Sequence, residues 1–524
     1  MDASPRATRA LLALALASVT VGLVTRVVVR GGEVPGWDLL LATEGQYLLA
    51  TRGVCGALAE TFHQVRHFWL PPSAYSVIYG LIPGALNRAW PSIFWQPAVV
   101  FLAWIVTLAL LLVATGWGLR SARGWTLALL GWGASPSLLS YSVEGYPWGG
   151  GMLPFALVLA MALAWARRPW AVMIPLLAIA WELPWHGYEL AKTTGLVVCV
   201  GALFAPDVDR LRRMVWIGVG ASQMAAAQWL WPSANMIAFG HGNVGAGVGI
   251  PHALPLLPAG AARLAEALFG SAPLIVPVLT ITGAVALRWA GSARRVLTIS
   301  FLVQLGLVLL LAAAGPGLLR GRRFQVVEGL SLAAVLAAGR SAPPRVRAVL
   351  VALLLAGNVW TMIDLATFAR TPPASRAFSL PGVASAEGVG VVDRPAVRWA
   401  EALVRRARAG GRIVVLHGQQ CPCEDVTNPA GVLERLYLRL GHETFARQVI
   451  AVGVEGPRYV TVPVVDVRTV LDTLAPGQLV DIDSTCRAAM GEAFRELEAR
   501  FVLEPTGGGL PPRFPQFRLV PRAG

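Results

Sequence analysis

The stretch Thr43-Glu44-Gly45-Gln46-Tyr47 follows the first apolar run of the chain and is polar and acidic. Trp37-Asp38 stands just upstream, and Phe68-Trp69-Leu70-Pro71-Pro72 stands downstream. Much of the remaining chain consists of apolar runs near the roughly 20 residues that a helix needs to cross a membrane. We therefore interpret the stretch as a polar segment at a membrane surface, with the apolar runs arranged around it.

The composition indicates a polytopic membrane protein. The chain has 524 residues, of which 55% are hydrophobic and only 14% are charged, whereas a soluble domain carries about 25% charged residues. The net charge of +15 would suggest nucleic acid for a soluble protein. Here much of the arginine lies in short loops between apolar runs, as expected for loops on the cytoplasmic side. We expect membrane lipid, and not nucleic acid, as the partner of these charges.

The apolar runs predict about eleven membrane spans. The first run is too long for a signal peptide and is predicted to be retained as a span. The predicted spans cover roughly residues 10–28, 95–118, 124–142, 150–166, 170–183, 190–206, 214–232, 272–288, 296–314, 324–339 and 347–366.

The arginine distribution predicts a cytoplasmic N-terminus in the plasma (inner) membrane. With that orientation the loops predicted to be inside are basic, and the loops 143–149 and 184–189 predicted to be outside contain no arginine. Residues 72–86 are apolar, but a span there would move Arg120 and Arg123 outside. We therefore expect 72–86 to form a helix along the membrane surface, interrupted at Pro83-Gly84.

The sequence predicts two domains. Residues 1–370 form a transmembrane domain with long outer loops at 30–94 and 233–271, of which the second is glycine-rich. Residues 371–524 contain more charged residues and form an extracytoplasmic α/β domain. Its predicted helices cover 396–409, 429–440 and 485–501, and its predicted strands cover 412–416 and 459–465.

Three cysteines lie in the C-terminal region. Cys421-Pro422-Cys423 has the wrong spacing for a structural zinc site, which separates its cysteines by about two to four residues. Outside the cytoplasm a disulfide from Cys486 to Cys421 or to Cys423 is favoured. The sequence leaves the pairing and the oligomeric state open, and it predicts neither a metal nor a cofactor.

Asp38 and Glu44 are candidate general bases. A carboxylate that is partly removed from water beside a membrane has a raised pKa and accepts a proton near neutral pH. The alternative is a solvated acidic loop, or a carboxylate paired with Arg52 or Arg66.

Further candidates lie in the predicted second and third outer loops. Glu144 stands between two apolar spans, where a carboxylate is costly and often functional, although it is equally compatible with an interfacial charge. The third outer loop combines His186 and Glu189 with Lys192, the single lysine of the chain. Lys192 opens a span, where its ammonium group either faces an anionic phosphate or extends to the headgroups.

An arginine cluster departs from the predicted charge distribution. Arg320, Arg322 and Arg323 lie in a loop that is predicted to be outside. One guanidinium group can donate two parallel hydrogen bonds to the oxygens of one phosphate. The cluster therefore favours a specific anionic ligand over general attraction to lipid headgroups. Carboxylates in outer loops and cations at the starts of spans suit a reaction in which a base deprotonates an acceptor while cations hold a leaving phosphate.

In the order of these stretches the chain resembles the GT-C superfamily of integral-membrane glycosyltransferases, in particular the branch of protein mannosyltransferases and the aminoarabinose transferase. That branch has an acidic motif after the first span, a Pro-Pro-containing juxtamembrane helix, an acidic residue in the second outer loop and an Arg-Tyr-like motif before a late span. The corresponding stretches are Thr43 to Tyr47, Leu70 to Tyr75, Glu144 and Arg322-Arg323-Phe324. Lys192 stands where the family often has a lysine. The similarity covers about residues 1–340.

The resemblance implies a sugar donor linked to polyprenyl phosphate and transfer at the outer membrane face to a lipid, glycan or protein acceptor. It implies Glu44 or Asp38 as the base with Glu144 assisting. The expected substrate contacts come from Tyr47, His186, Glu189, Lys192, Arg322 and Arg323.

Two residues depart from the family pattern. The catalytic aspartate of the family would fall on Thr43, and a histidine that often precedes Pro-Pro is Leu70. Threonine does not serve as that base, so either Glu44 or Asp38 replaces it or the chain is inactive. The alternatives are therefore a GT-C-like scaffold that binds lipid-linked glycan, and a transporter. A transporter is disfavoured because the ionisable candidates lie in outer loops and the chain has no internal repeat.

Overall fold

A computed structural model describes most of the chain as helices with one sheet near the C-terminal end. It describes residues 5–29, 34, 39–63, 77–142, 152–165, 168–186, 189–205, 208–229, 254–269, 278–314, 324–370, 394–416, 431–453, 465–466, 473–482, 491–506 and 514–522. By its contacts the chain divides into two compact units. The first unit comprises residues 1–32, 73–75 and 100–390, and the second comprises 33–72, 76–99 and 391–524.

The described helices and strands follow in chain order. They are α1 (Pro5–Val29), α2 (Leu40–His63), α3 (Ile82–Ala89), α4 (Trp95–Ala114), α5 (Ala122–Gly133), α6 (Pro136–Tyr141), α7 (Met152–Ala164), α8 (Trp170–Glu182), α9 (Glu189–Leu203), α10 (Arg210–Trp229), α11 (Leu257–Phe269), α12 (Val278–Ala286), α13 (Arg294–Ala314), α14 (Gln325–Ser341), α15 (Pro344–Arg370), α16 (Arg394–Arg408), β1 (Ile413–Leu416), α17 (Val432–Leu440), α18 (His442–Gln448), β2 (Val449–Gly453), β3 (Val465–Asp466), β4 (Leu479–Ile482), α19 (Gly491–Arg500), β5 (Phe501–Pro505) and β6 (Gln516–Pro521).

Each apolar run predicted as a span contains at least one described helix. Within the described residues, four helical segments are long and apolar enough to cross a membrane: Arg6–Val24, Trp95–Ala114, Gly291–Leu310 and Pro344–Ile363. Shorter apolar helical segments are Met152–Ala164, Trp170–Glu182, Thr194–Leu203 and Val278–Trp289. The helical membrane fold is therefore confirmed, whereas the count of about eleven spans and the orientation of the termini stay predictions.

Helix α14 forms the centre of the first unit. Its residues from Gln325 to Gly339 are all buried. Glycines allow its neighbours to approach closely, since a Cβ at Gly283 of α12 would lie 2.3 Å from Cβ of Ser331. A Cβ at Gly329 would lie 2.3 Å from Cε of Met152 in α7. The span predicted at 324–339 is thus a packed central helix.

The sheet of the second unit has the strand order β3-β2-β1-β4-β6-β5. Strands β3, β2, β1 and β4 are parallel, and β6 and β5 are antiparallel additions. Alternate residues of β1 face opposite sides, as in any strand. Ile413 and Val415 pack in a core with α16 and α17, and Val414 and Leu416 pack in a second core with residues of α19. This arrangement confirms a small α/β sheet near the C-terminus.

Most local predictions for the C-terminal region agree with the structure. The helix predicted over 396–409 corresponds to α16, the helix over 429–440 to α17, and the strand over 412–416 to β1. Helix α19 lies within the helix predicted over 485–501 and ends where β5 begins, at Phe501, and residues 485–490 lie outside the described residues. Of the strand predicted over 459–465, only the last residue is described, and Cys421, Cys423 and Cys486 lie outside the described residues.

The first outer loop is more helical than the sequence predicts. No helix was expected over 40–63, yet α2 covers 24 residues there. The expected interruption at Pro83-Gly84 is wrong, because a π-helical turn (Val77–Leu81) leads directly into α3 with Pro83 in its first turn. Proline fits a first helical turn because the amide hydrogen that it lacks has no partner there. The placement of this helix at the membrane surface stays a prediction.

The second outer loop, 233–271, also contains helix. Leu254–Leu256 forms a 3-10 turn that continues into the 13-residue α11. The glycine-rich part of this loop lies outside the described residues. The position of residues 233–271 outside the membrane stays a prediction. The predicted boundary between a transmembrane and a C-terminal domain at residue 370 stays a prediction.

Candidate functional site

Helix α2 carries the stretch from Thr43 to Tyr47 in its first half. Gly53 adopts a φ of 67° and separates this half from the rest of the helix. The first turn is held by Gln96, whose Oε1 accepts a hydrogen bond from the backbone N–H of Ala42 at 2.7 Å. Helices leave their first amide hydrogens without internal partners, and a buried side-chain acceptor at this point stabilises the start of α2.

The backbone of α2 lies against the π-helical turn and α3 at the level of Glu44. A Cβ added to Gly45 would lie 2.1 Å from the carbonyl oxygen of Gly80. A Cβ added to Gly84 would lie 2.4 Å from the backbone nitrogen of Gln46. Small residues allow helices to approach this closely. Glycine at these positions therefore fixes the backbone that carries Glu44.

Glu44 has the properties of a weak acid that titrates near neutral pH. Its side chain is partly buried. Burial, and secondarily the charge of Glu60, raises the pKa of the Glu44 carboxyl from 4.5 to about 8. A group with this pKa is poised to accept a proton near physiological pH.

Arg52 does not neutralise Glu44. Its Nη1 lies 2.5 Å from Oε2 of Glu60 and forms an ion pair there. Within the described part of the chain, no hydrogen bond or ion pair joins Glu44 to a basic side chain. The alternative that paired Glu44 with Arg52 is therefore wrong, and Arg66, the other suggested partner, lies outside the described residues.

Thr43 is not available for chemistry. Its side chain is fully buried, and its Oγ1 donates a hydrogen bond to the carbonyl oxygen of Leu39 at 2.9 Å. This bond to the preceding helical turn is usual for threonine in a helix. The position at which the family resemblance calls for a carboxylate thus carries a buried hydroxyl.

Two buried amides connect α2 to the C-terminal part of the second unit. Nδ2 of Asn87 donates to Oε1 of Gln46 at 2.7 Å and to the carbonyl oxygen of Leu438 in α17 at 2.9 Å. Oδ1 of Asn87 accepts from the backbone N–H of Ser92 at 2.6 Å. Both Asn87 and Gln46 are buried. Every polar hydrogen of the Asn87 amide therefore has a partner.

Tyr47 contacts a tyrosine and a histidine of the same unit. Its ring meets the ring of His442 edge to face, with centroids 6.2 Å apart, and it packs against the core that contains Tyr437. The hydroxyl of Tyr437 lies 2.8 Å from Nδ1 of His442. Burial, and then the proximity of Tyr47, raises the pKa of Tyr437. Tyr437 therefore keeps its proton, and its hydroxyl shares a hydrogen bond with Nδ1 of His442 whose donor depends on the imidazole tautomer.

The structure leaves the other predicted site residues untested. Asp38, Glu144, Arg322 and Arg323 lie outside the described residues. His186 ends a 3-10 turn, and Glu189 and Lys192 lie at the start of α9, but their side chains are not described. Among the described residues, no group of three His, Cys, Asp or Glu side chains is placed to hold a metal.

Sequence reasoning missed Asn87, Gln96, Tyr437 and His442. One signal was present, because Gly80, Gly84 and Asn87 follow one another at spacings of four and three, which places small and polar groups on one helix face. The contacts with α17 had no local signal, since Asn87 and Leu438 are 351 residues apart in the chain.

No family model matches the sequence, and no curated protein matches it significantly. The fold, however, matches two crystal structures of ArnT from Cupriavidus metallidurans. The structure bound to undecaprenyl phosphate matches with a TM-score of 0.51 at 14% identity, over 98% of this chain and 98% of that one. The apo structure matches with a TM-score of 0.49 at 15% identity, over 96% of this chain and 97% of that one.

This protein has the ArnT fold. ArnT is an aminoarabinose transferase and a GT-C glycosyltransferase, so the resemblance found in the sequence is confirmed at the level of the fold. The match covers nearly the whole of both chains, including the C-terminal sheet region. At 14% identity it assigns no role to individual residues.

Proposed function

We propose that this protein transfers a sugar from a polyprenyl-phosphate donor to an acceptor at the outer membrane face, with Glu44 as the general base. The single observation that carries the proposal is the state of Glu44. The Glu44 residue is half-buried, burial raises the pKa of its carboxyl to about 8, and no described basic side chain pairs with it. A structural carboxylate is normally paired and has a lowered pKa.

The fold supports the class of donor. One of the two matching ArnT structures is bound to undecaprenyl phosphate, a polyprenyl phosphate. A chain with the same overall fold has the architecture to accept a lipid of this kind in the membrane. The sugar and the acceptor are left open, and the acceptor is a lipid, a glycan or a protein.

The reaction requires one base and one site for the leaving group. Glu44 accepts the proton of an acceptor hydroxyl or amine while the resulting nucleophile forms a bond to the anomeric carbon of the sugar. The bond from that carbon to the phosphate oxygen breaks, and polyprenyl phosphate leaves with the electron pair. Glu44 then releases its proton to water. Because attack and departure occur on opposite faces, the anomeric configuration inverts.

The remaining predicted residues have proposed roles in the same reaction. Lys192, Arg322 and Arg323 hold the donor phosphate, because cations stabilise the charge that develops on the leaving group. Glu144 assists the base, and Asp38 is the alternative base. The proposed contacts to sugar or acceptor come from Tyr47, His186 and Glu189.

A second candidate function is a scaffold that binds lipid-linked glycan without turnover. The state of Thr43 favours it, because the position that the resemblance assigns to a catalytic carboxylate holds a buried hydroxyl bonded to Leu39. Such a protein would bind the donor lipid as tightly as an enzyme does, but it would release no polyprenyl phosphate.

The test uses the full chain in lipid nanodiscs with a panel of undecaprenyl-phosphate-linked pentoses and hexoses and a bacterial membrane extract as acceptor. Release of undecaprenyl phosphate is measured. We expect Glu44→Gln to lower the rate by about 100-fold or more, the usual contribution of a general base. The matched control is Glu443→Gln, which removes an exposed carboxylate of α18 and should leave the rate unchanged.

Asp38→Asn is measured beside Glu44→Gln to separate the two candidate bases. Loss of turnover in Asp38→Asn with full activity in Glu44→Gln would transfer the role to Asp38. Full activity in both variants would exclude both bases. Donor binding by the wild-type protein without any release would favour the scaffold.

A further inference from the structure

We infer that Asn87 is a positioning residue that holds the Glu44 helix in place against α17 of the C-terminal region. The inference rests on the proposed function, because it concerns the geometry of the proposed base. It assigns the C-terminal region a part in the transfer reaction itself. All the contacts on which it depends lie within the second unit.

Asn87 lies between α2 and α17 and bonds to both. Its amide nitrogen donates to Gln46, two residues beyond Glu44, and to the backbone of Leu438 in α17. Asn87 is fully buried, so neither acceptor has water as a substitute partner. A buried acceptor that loses its donor is unfavourable, and α2 and α17 are therefore both constrained by one side chain.

Helix α17 contacts the segments on both sides of Glu44. Arg435, which is fully buried, donates a hydrogen bond to the carbonyl oxygen of Val34 before α2. Leu438 packs in one apolar cluster with Leu39 and Ala42 at the start of α2. Tyr47 packs against the core to which Tyr437 belongs. Helix α17 thus meets the chain before, beside and after Glu44.

These contacts restrict the movement of α2 relative to the π-helical turn. Close backbone packing between Gly45 and Gly80 prevents α2 from moving toward the π-helical turn. Sliding along that surface is opposed only weakly by the glycine pair, which carries no side chain that interlocks, and by the non-directional apolar contact of Leu48 with Leu81. The hydrogen bonds of Asn87 are directional and oppose such sliding. Positioning of a general base within a fraction of an ångström matters for proton transfer.

The experiment compares wild type, Asn87→Ala, Gln46→Ala and the double variant, each as the full chain in nanodiscs. Hydrogen exchange of residues 40–52 and the transfer kinetics are measured on the same preparations. Asn87→Ala should speed exchange in 40–52 about 10-fold, the effect of losing a buried hydrogen bond. It should lower kcat about 10-fold and leave KM for the donor within about two-fold. The double variant should be no worse than the more impaired single variant, because both remove the same bond.

Asn358→Ala is the matched control, because it deletes a buried amide that makes three hydrogen bonds in the first unit. It should change neither exchange in 40–52 nor kcat per folded molecule. Unchanged exchange and unchanged kcat in Asn87→Ala would overturn the inference, as would an effect confined to KM. If the wild-type protein transfers no sugar while exchange responds as expected, the proposed function fails, and Asn87 holds α2 against α17 without a part in a transfer reaction.

Discussion

Each of the two units contains a buried asparagine with three hydrogen bonds. One of them joins helices that carry no proposed catalytic group, and the other contacts the helix that carries the proposed base. Asn358 of α15 donates to the carbonyl oxygens of Leu130 at 2.8 Å and Leu354 at 2.7 Å, and it accepts from the hydroxyl of Ser18 at 2.7 Å. Asn87 likewise makes two donor bonds and one acceptor bond. Both therefore satisfy the general requirement that buried polar groups have partners.

The surroundings of the two amides differ. Asn358 joins α1, α5 and α15 through neutral groups, as polar residues between membrane helices commonly do. Asn87 contacts Gln46 on the helix that carries Glu44, a group with a pKa of about 8. The same side chain with the same number of bonds thus stabilises the helix packing in one unit, and in the other it holds the helix that carries a titratable group.

The largest expected difference in stability and activity comes from substituting the glycine that packs beside each of the two hydrogen-bonded asparagine sites. A Cβ at Gly45 would lie 2.1 Å from a backbone oxygen, that of Gly80, whereas a Cβ at Gly133 would lie 2.1 Å from Oδ1 of Asn358. A backbone moves only with its whole helix, but a side chain rotates. Gly45→Ala should therefore destabilise the protein by about 1–3 kcal/mol, the usual range for overpacking, and should abolish transfer.

Gly133→Ala is the counterpart and should cost less, because it displaces only the amide of Asn358. The helix propensity of alanine, about 1 kcal/mol better than that of glycine, offsets part of the cost in both variants. Thermal unfolding of the full chain in detergent measures the two effects side by side. An unfolding temperature of Gly45→Ala equal to that of the wild type would contradict the expected clash with the carbonyl oxygen of Gly80.

The next variant removes the amide of the first unit and should affect stability but not turnover. Asn358→Ala leaves the carbonyl oxygen of Leu130 and the hydroxyl of Ser18 without this partner, and it should cost about 1–3 kcal/mol of stability. The rate per folded molecule should not change. Thermal unfolding and transfer by the same preparation measure both quantities. A fall in kcat equal to that of Asn87→Ala would remove the distinction between the two asparagines.

The sequence predicted the helical membrane architecture because its signals are local. Apolar runs of about 20 residues and arginine between them identified helices such as α1 and α13 without any tertiary information. The strand β1 was equally visible as a short β-branched run after an amphipathic helix. The order of weak motifs identified a fold that the ArnT match confirms.

Helix α2 was not predicted because distant contacts decide it. Its sequence contains Gly45, Gly53 and Gly56, and glycine disfavours helix by about 1 kcal/mol per residue. The compensation comes from packing on α3 and on α17, and α17 begins nearly 400 residues later in the chain. Tertiary packing of this kind is the main source of helix stability in proteins.

The candidate site was predicted in part, and Thr43 shows the limit. The sequence shows that threonine replaces the carboxylate of the family, but only the structure shows the hydroxyl bonded to Leu39 inside its own helix. Likewise Glu44 was identified by its position after the first apolar run. That Arg52 pairs with Glu60 and leaves Glu44 as a weak acid depends on the fold of α2 around Gly53.

The smallest expected effect is a pH shift, which tests whether the helix that Asn87 contacts carries the titrating base. If Glu44 is the base, kcat/KM rises with pH as its carboxyl loses a proton, with a midpoint near its pKa of about 8. The charge of Glu60 is the second cause of this raised pKa, after burial. Glu60→Gln removes that charge, so the midpoint should move to lower pH by less than about one unit.

Glu60→Gln also frees Arg52, but the side chain of Arg52 is 43% exposed and is solvated without its partner, whereas the buried position 60 then holds a neutral amide. Glu443→Gln, which removes a carboxylate of α18, should leave the midpoint in place. Asn358→Ala should do the same, because its hydrogen bonds join helices of the first unit and none of them involves α2. A midpoint that stays fixed in Glu60→Gln, or that moves to higher pH, would mean that the titrating base is not Glu44. The two asparagines would then differ only in the helices that they hold together.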